Sequence, residues 1–164
     1  MKRILLILAI AMILPATAFA QLGAGPAAFF KSPVLLGQSF ANDGVNLNQF
    51  SFGGALRYRL GLLQGQALGL YSVGDTDSLD IFLDAGVALD VTMVTLSFGA
   101  GPSFTKSFDG SSPIRTGLNA RTGADVHIGP VSVGLSYIMS LYLDGGIDID
   151  SSSGLLGTQV LFWL

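Results

Sequence analysis

The chain has 164 residues, of which only 12% are charged, about half the share of an ordinary soluble domain. Eleven acidic residues against eight basic ones exclude a nucleic-acid binder, which needs a basic surface to meet phosphates. With no cysteine, an exported chain of this kind has no disulfide framework to staple a small core.

The chain opens MKRILLILAIAMILPATAFAQ. Lys2 and Arg3 form a basic start, residues 4–14 an apolar stretch, and Ala18-Phe19-Ala20 a small-x-small cleavage site. This pattern predicts a secretory signal peptide over 1–20, cut before Gln21. The apolar run is too short to span a bilayer as a helix. What remains is residues 21–164, or 164 − 20 = 144 residues, one domain's worth. It carries six basic residues (Lys31, Arg57, Arg59, Lys106, Arg115, Arg121) against eleven Asp and no Glu, a balance of 6 − 11 = −5. All 22 glycines lie in it, which disfavours long helices.

An opening strand is expected near residues 22–31. Three stretches then repeat one plan of strand, tight turn and strand, over residues 52–73, 84–104 and 121–141, with turns near 61–65, 91–93 and 127–130. A closing strand is expected near 154–164. Longer polar connections fall at 32–48, 74–78, 105–115 and 144–153. Tight turns and long connections alternate, so eight strands place all tight turns and both termini at one end.

The strands alternate with period two. Val131, Val133, Leu135, Tyr137, Met139, Leu141 and Leu143 oppose Ser132, Gly134, Ser136, Ile138, Ser140 and Tyr142. Phe50, Phe52, Leu56, Tyr58 and Leu60 oppose Gln49, Ser51, Gly53, Arg57 and Arg59. The sixth strand sets Leu118, Ala120, Ala124, Val126 and Ile128 against Asn119, Arg121, Gly123, Asp125 and His127. The strand over 66–73 is ambiguous. The polar face is mostly Gly, Ser and Thr, which suits a cramped interior; a hydrated exterior would favour Lys and Glu. The bulky apolar face forms one continuous belt. The predicted fold is therefore all-β, an eight-stranded antiparallel up-and-down transmembrane barrel with its apolar face in lipid. The alternative is a soluble exported barrel that binds an apolar ligand, as lipocalins do. Pro26 and Pro102 interrupt strand patterns and are expected at bulges or near strand ends.

On this architecture the chain resembles the small eight-stranded outer-membrane barrels of the OmpA/OmpX type, over all of residues 21–164. Such proteins end in a strand with a Gly, alternating apolar residues and a terminal aromatic. Here GTQVLFWL supplies Gly157, Val160 and Phe162 beside Trp163, but ends in Leu164. The resemblance implies a bacterial outer-membrane location, periplasmic termini and turns, and long loops facing the medium. It implies outer-membrane lipid and the barrel-assembly machinery as partners, the latter through the C-terminal strand. The expected state is a monomer, with no nucleic acid and an unidentified surface partner.

No enzymatic role and no cofactor are expected. Some eight-stranded outer-membrane enzymes deacylate lipid A with a Ser-His-Glu set facing lipid; here Glu is absent, and the one His of the mature part, His127, points inward. Asp144, Asp148 and Asp150 match no calcium-loop spacing, so no metal is expected. The twice-occurring GAGP, at 23–26 and 99–102, is followed by no helix and is no phosphate cradle; its glycines are expected to permit close packing. The inward charges form the candidate site, as a structural network in the lumen: Arg57, Arg59, Asp84, Asp90, Arg121, Asp125 and His127. Arg57, Arg59, Asp90, Asp125 and His127 lie near tight turns and predict one layer. Asp84 and Arg121 lie higher and are expected to pair across the small fifth-strand residues Ser97, Gly99 and Gly101. The lumen is then plugged and no general pore, because eight strands leave an interior that side chains fill.

Overall fold

A computed structural model describes residues 20–31, 49–73, 77–109, 112–142 and 154–164. The predicted signal segment up to residue 19 and the connection with Asp144, Asp148 and Asp150 lie outside the described residues. The chain forms β1 (Ala20–Lys31), β2 (Phe50–Leu60), β3 (Leu63–Ser72), β4 (Ser78–Val91), β5 (Val94–Ser107), β6 (Arg115–Ile128), β7 (Val131–Tyr142) and β8 (Leu155–Trp163). Each strand pairs antiparallel with the next, and β1 pairs with β8 to close the barrel. Closure leaves no unpaired sheet edge.

The three tight turns are two residues long, closed by the pairs Leu60↔Leu63, Val91↔Val94 and Ile128↔Val131. Two-residue hairpin turns need a positive φ at the first central residue. Gly61 (φ 61°) and Gly129 (φ 62°) supply it without a Cβ to clash; in the third turn Thr92 takes φ 60°, a strained position for a β-branched side chain.

The distribution of residues is the reverse of a soluble core. Among the described residues, 18 polar or charged side chains are buried and only 10 hydrophobic ones. Large apolar side chains stand exposed on successive strands: Phe52 and Leu56 on β2, Leu83 and Val87 on β4, Leu96 and Phe98 on β5, Val133 and Leu135 on β7. A soluble ligand-carrying barrel needs the opposite arrangement.

The interior differs from the predicted face of Gly, Ser, Thr and charges in one respect. Phe29, Leu68, Leu70, Phe82, Ile138, Leu155 and Leu161 also point inward and form one buried cluster with Ala27 and Ala55. The ambiguity of β3 is thereby explained. Its inward face changes from Gln64 and Gln66 to Leu68 and Leu70, while Gly65, Ala67 and Gly69 lie on the other face.

The prolines occupy neither bulges nor strand ends. The β4–β5 ladder skips the rows of Gly101 and Pro102, yet Ala85↔Ala100 and Phe82↔Ser103 keep one register. The β1–β8 ladder does the same around Pro26, between Ala24↔Phe162 and Ala27↔Gln159. A bulge would add a residue to one strand, and none is added. Pro lacks the N–H that a neighbouring carbonyl would accept. At Pro102 the side chain of Asn119 takes over: its Nδ2 donates to the Leu83, Gly101 and Pro102 carbonyls at 3.2, 3.0 and 2.9 Å. The glycine before each proline also lets the neighbouring strand come close. A Cβ on Gly25 would collide with the Val160 carbonyl, and one on Gly101 with the Leu83 carbonyl. The recurrence of GAGP thus reflects one local device used twice.

Candidate functional site

The charges of β2, β4 and β6 meet in the lumen, because alternation directs them inward. Arg57 of β2 reaches across to β6, where its Nη1 donates to Asp125 Oδ2 at 2.7 Å, and its Nε donates to Gln66 Oε1 on β3 at 2.8 Å. Both charged side chains are only 1% exposed. Asp125 has room because its rung partner on β7 is Gly134, where a Cβ would strike the carboxylate.

On the opposite wall Arg121 lies against Asp84 in a fork. Nε donates to Oδ1 and Oδ2 at 3.2 and 3.1 Å, and Nη2 to Oδ1 at 3.1 Å. Nη1 donates to Ser97 Oγ at 3.0 Å. Between these two strands lies β5, which presents Gly99; a Cβ there would press on the Asp84 carboxylate. The planar guanidinium suits this multi-point contact better than an ammonium would.

At the turn end Arg59 forms a second fork with Asp90, Nη1 to Oδ1 at 3.1 Å and Nη2 to Oδ2 at 2.9 Å. Thr95 Oγ1 donates to Asp90 Oδ1 at 2.5 Å and meets His127 Nε2 at 2.9 Å. Since the single Thr hydroxyl proton goes to Asp90, the imidazole is the donor to Thr95. The His127 ring lies 5.8 Å from the Trp163 ring, and Trp163 Nε1 donates to Ser132 Oγ at 2.8 Å. Arg57, Arg59, Asp90, Asp125 and His127 therefore form two linked groups, Arg57–Asp125–Gln66 and Arg59–Asp90–Thr95–His127, at different heights above the turns.

Sequence reasoning left several members out. Gln66, Ser97 and Thr95 point inward with the charges and serve as their acceptors or donors; parity was the signal for Ser97 and Thr95, whereas Gln66 lies on β3, whose faces are not uniform. Asp80, also inward, is held by the hydroxyls of Thr105 (2.6 Å) and Ser72 (3.4 Å) near the loop end. The Nε2 partner of His127, Thr95, is already committed to Asp90. Among the described residues no group of three or more His, Cys, Asp or Glu side chains could hold a metal ion.

No protein-family model and no curated protein sequence matches the chain. Solved structures do. Ail, the attachment invasion locus protein of Yersinia pestis, superposes with a TM-score of 0.53 at 18% identity, over 88% of this chain and 95% of Ail. Ail in a phospholipid bilayer nanodisc gives 0.54 at 18%, over 88% and 98%. Neisserial surface protein A (NspA) gives 0.51 at 18%, over 87% and 96%. At such identities the likeness is one of fold: the chain has the fold of the small eight-stranded outer-membrane β-barrels.

Proposed function

We propose that the chain is a monomeric integral protein of the bacterial outer membrane, with a lumen closed by packed side chains, acting at the cell surface through its long loops and neither as a pore nor as an enzyme. The observation that carries this reading is the inverted surface, apolar outside and polar inside, on a closed barrel. Lipid satisfies the belt, and closure satisfies the backbone. The termini and tight turns then face the periplasm after removal of residues 1–20, and the long connections face the medium. Outer-membrane lipid is one partner. The barrel-assembly machinery is another, through β8, where Val160 and Phe162 lie on the lipid face with Leu164 beyond them.

The loops set the kind of surface contact. Seven of the eleven Asp lie in the long connections (Asp43, Asp75, Asp77, Asp109, Asp144, Asp148, Asp150), against only Lys106 and Arg115 at the two edges of one of them. Ail has been solved in complex with the heparin analogue sucrose octasulfate. Acidic connections repel such a polyanion, so the surface contacts proposed for this chain are with neutral or basic groups. The test combines membrane fractionation, gel mobility before and after boiling, and planar-bilayer recording. The expected result is an outer-membrane protein with a heat-dependent shift and no steady conductance; a chain recovered without detergent from the soluble fraction refutes the reading.

A further inference from the structure

Buried polar atoms without a protein partner are concentrated at one end of the lumen. Seven of the ten found among the described residues belong to five side chains and Arg59: Arg57 Nη2, Arg59 Nε, Gln64 Nε2 and Oε1, Gln66 Nε2, Asp125 Oδ1 and Gln159 Oε1. Each of these residues is more than nine-tenths buried. Ladder pairing brings them together. Arg57 faces Gln66 and Arg59 faces Gln64 on β2–β3, while Asp125, Gly134 and Gln159 form one row across β6–β7–β8. The Arg57–Asp125 bond joins the two sides.

The chemistry of these atoms selects the ligand. They comprise four N–H donors and three oxygen acceptors. An anion would leave the acceptors unmet, and a cation the donors. The ionic groups at and below mid-lumen also balance, Arg57, Arg59 and Arg121 against Asp84, Asp90 and Asp125, so there is no net charge to attract an ion. A small neutral molecule that both donates and accepts is required. Leaving such buried groups unmet forfeits their hydration with nothing in return, whereas bridging waters bond buried polar groups nearly as well as protein does.

The other end is closed to the same ligand. On their strands Leu68 and Leu70 lie on the loop side of Gln66, Phe82 on the loop side of Asp84, Ile138 on that of Gly134, and Phe29 and Leu155 beyond the Ala27↔Gln159 pair. These six belong to one buried apolar cluster, which also takes in Ala27, Ala55 and, towards the turns, Leu161. The side chains of this cluster offer water no hydrogen-bond partner, and among the described residues the unmet polar atoms on that side are only Ser103 Oγ and Asn119 Oδ1.

We infer that the turn-end half of the lumen is a water-binding chamber, with ordered waters bonded to Arg57, Gln64, Gln66, Asp125 and Gln159, and that the apolar cluster, not the ion pairs, seals it from the loop end. The chamber opens to the periplasm, a direction that rests on the proposed membrane orientation. The consequence is a one-sided barrel: solvent enters from the turns and stops at Leu68 and Leu70.

The test is water-to-side-chain cross-relaxation by NMR on the refolded full barrel in lipid nanodiscs. The Gln66 side-chain amide should show contact with bound water, while the Arg121 Nε–H, occupied by Asp84, should show none. A Gln66 amide silent to water overturns the inference and leaves the plugged-lumen reading standing. Steady conductance by the parent in planar bilayers overturns that reading instead. The seal is tested by Leu70→Ala with Phe82→Ala, checked for folding by heat-dependent gel mobility: ion passage should rise from the bare-bilayer baseline to resolved steps, and Gln66→Leu should stay at baseline. A rise in Gln66→Leu alone overturns the assignment of the seal, and should the alanine pair fail to fold, the water contacts of the parent still decide.

Discussion

The Arg121–Asp84 pair offers a quantitative test of the interior. Both side chains are 1% exposed, and Nη2 lies 3.1 Å from Oδ1. At that separation two unit charges attract by about 5 kcal/mol for an effective dielectric near 20. Desolvating both groups offsets much of this, so the pair itself adds little net stability. Breaking it from one side is a different matter. Asp84→Asn strands a buried guanidinium with only the Ser97 hydroxyl and a neutral amide, and Arg121→Gln strands a buried carboxylate; each should cost about 3–5 kcal/mol. The double variant removes both charges together and should cost about 2–3 kcal/mol less than the sum. The assay is urea-induced unfolding of barrels refolded in lipid vesicles, followed by the heat-dependent gel shift. Single losses that add to within about 0.5 kcal/mol would mean that each charge is solvated separately, and the argument from pairing would fail.

The sequence made the fold legible because five strands, β2, β4, β5, β6 and β7, repeat a two-residue period that only one orientation satisfies. With bulky apolar residues on one face and Ser, Gly and Arg on the other, eight strands and three turns leave little freedom. β3 was unreadable for a physical reason: its inward face meets two different environments, the Arg57 layer at Gln66 and the apolar cluster at Leu68 and Leu70, so neither face is uniform. The same cluster was invisible elsewhere, since a single inward Phe82 or Ile138 among polar neighbours looks like noise until the strands are brought together. In the site, parity gives the direction of each charge, and distance from a turn gives its height. The approach of Arg121 to Asp84 follows from the small residues on the one strand between them. The reach of Arg57 to Asp125 does not, because β2 and β6 are remote in the barrel and the contact depends on the length and rotamer of the arginine. The prolines misled because ordinary strand rules place Pro at bulges, whereas here both strands keep one register past them, and at Pro102 Asn119 of β6 supplies the missing donor.

The remaining predictions probe the belt, a turn and the close approaches. Leu96→Arg or Leu135→Arg should destabilise the barrel by about 2–4 kcal/mol if the site lies near the bilayer midplane, read from urea midpoints in vesicles; unchanged midpoints would mean that this face does not meet lipid. Thr92→Gly should raise stability, since relief of a left-handed β-branched residue (about 1–2 kcal/mol) exceeds the entropy cost of glycine (about 0.5–1 kcal/mol); a lower midpoint would refute the strain at φ 60°. Asn119→Ala should cost about 1–3 kcal/mol, because the carbonyls of Leu83 and Pro102 lose the donor that replaces the missing proline N–H. The glycines give the sharpest contrast. Gly69 and Gly101 both sit within strands, and composition alone treats them alike. A Cβ at Gly69 meets nothing within 4 Å, whereas at Gly101 it meets the Leu83 carbonyl oxygen and backbone, which no rotamer change can move. Gly69→Ala should therefore be neutral or stabilising by up to about 1 kcal/mol, the usual gain from replacing glycine in a strand. Gly101→Ala must push β4 away from β5 directly beside Asp84, so it should loosen the Arg121 fork as well as the ladder. Combined with Asp84→Asn its cost should be less than additive, because both changes disrupt one arrangement. Equal effects of the two alanines, or full additivity with Asp84→Asn, would show that the strands tolerate a side chain at position 101 and that the GAGP segment has no special role.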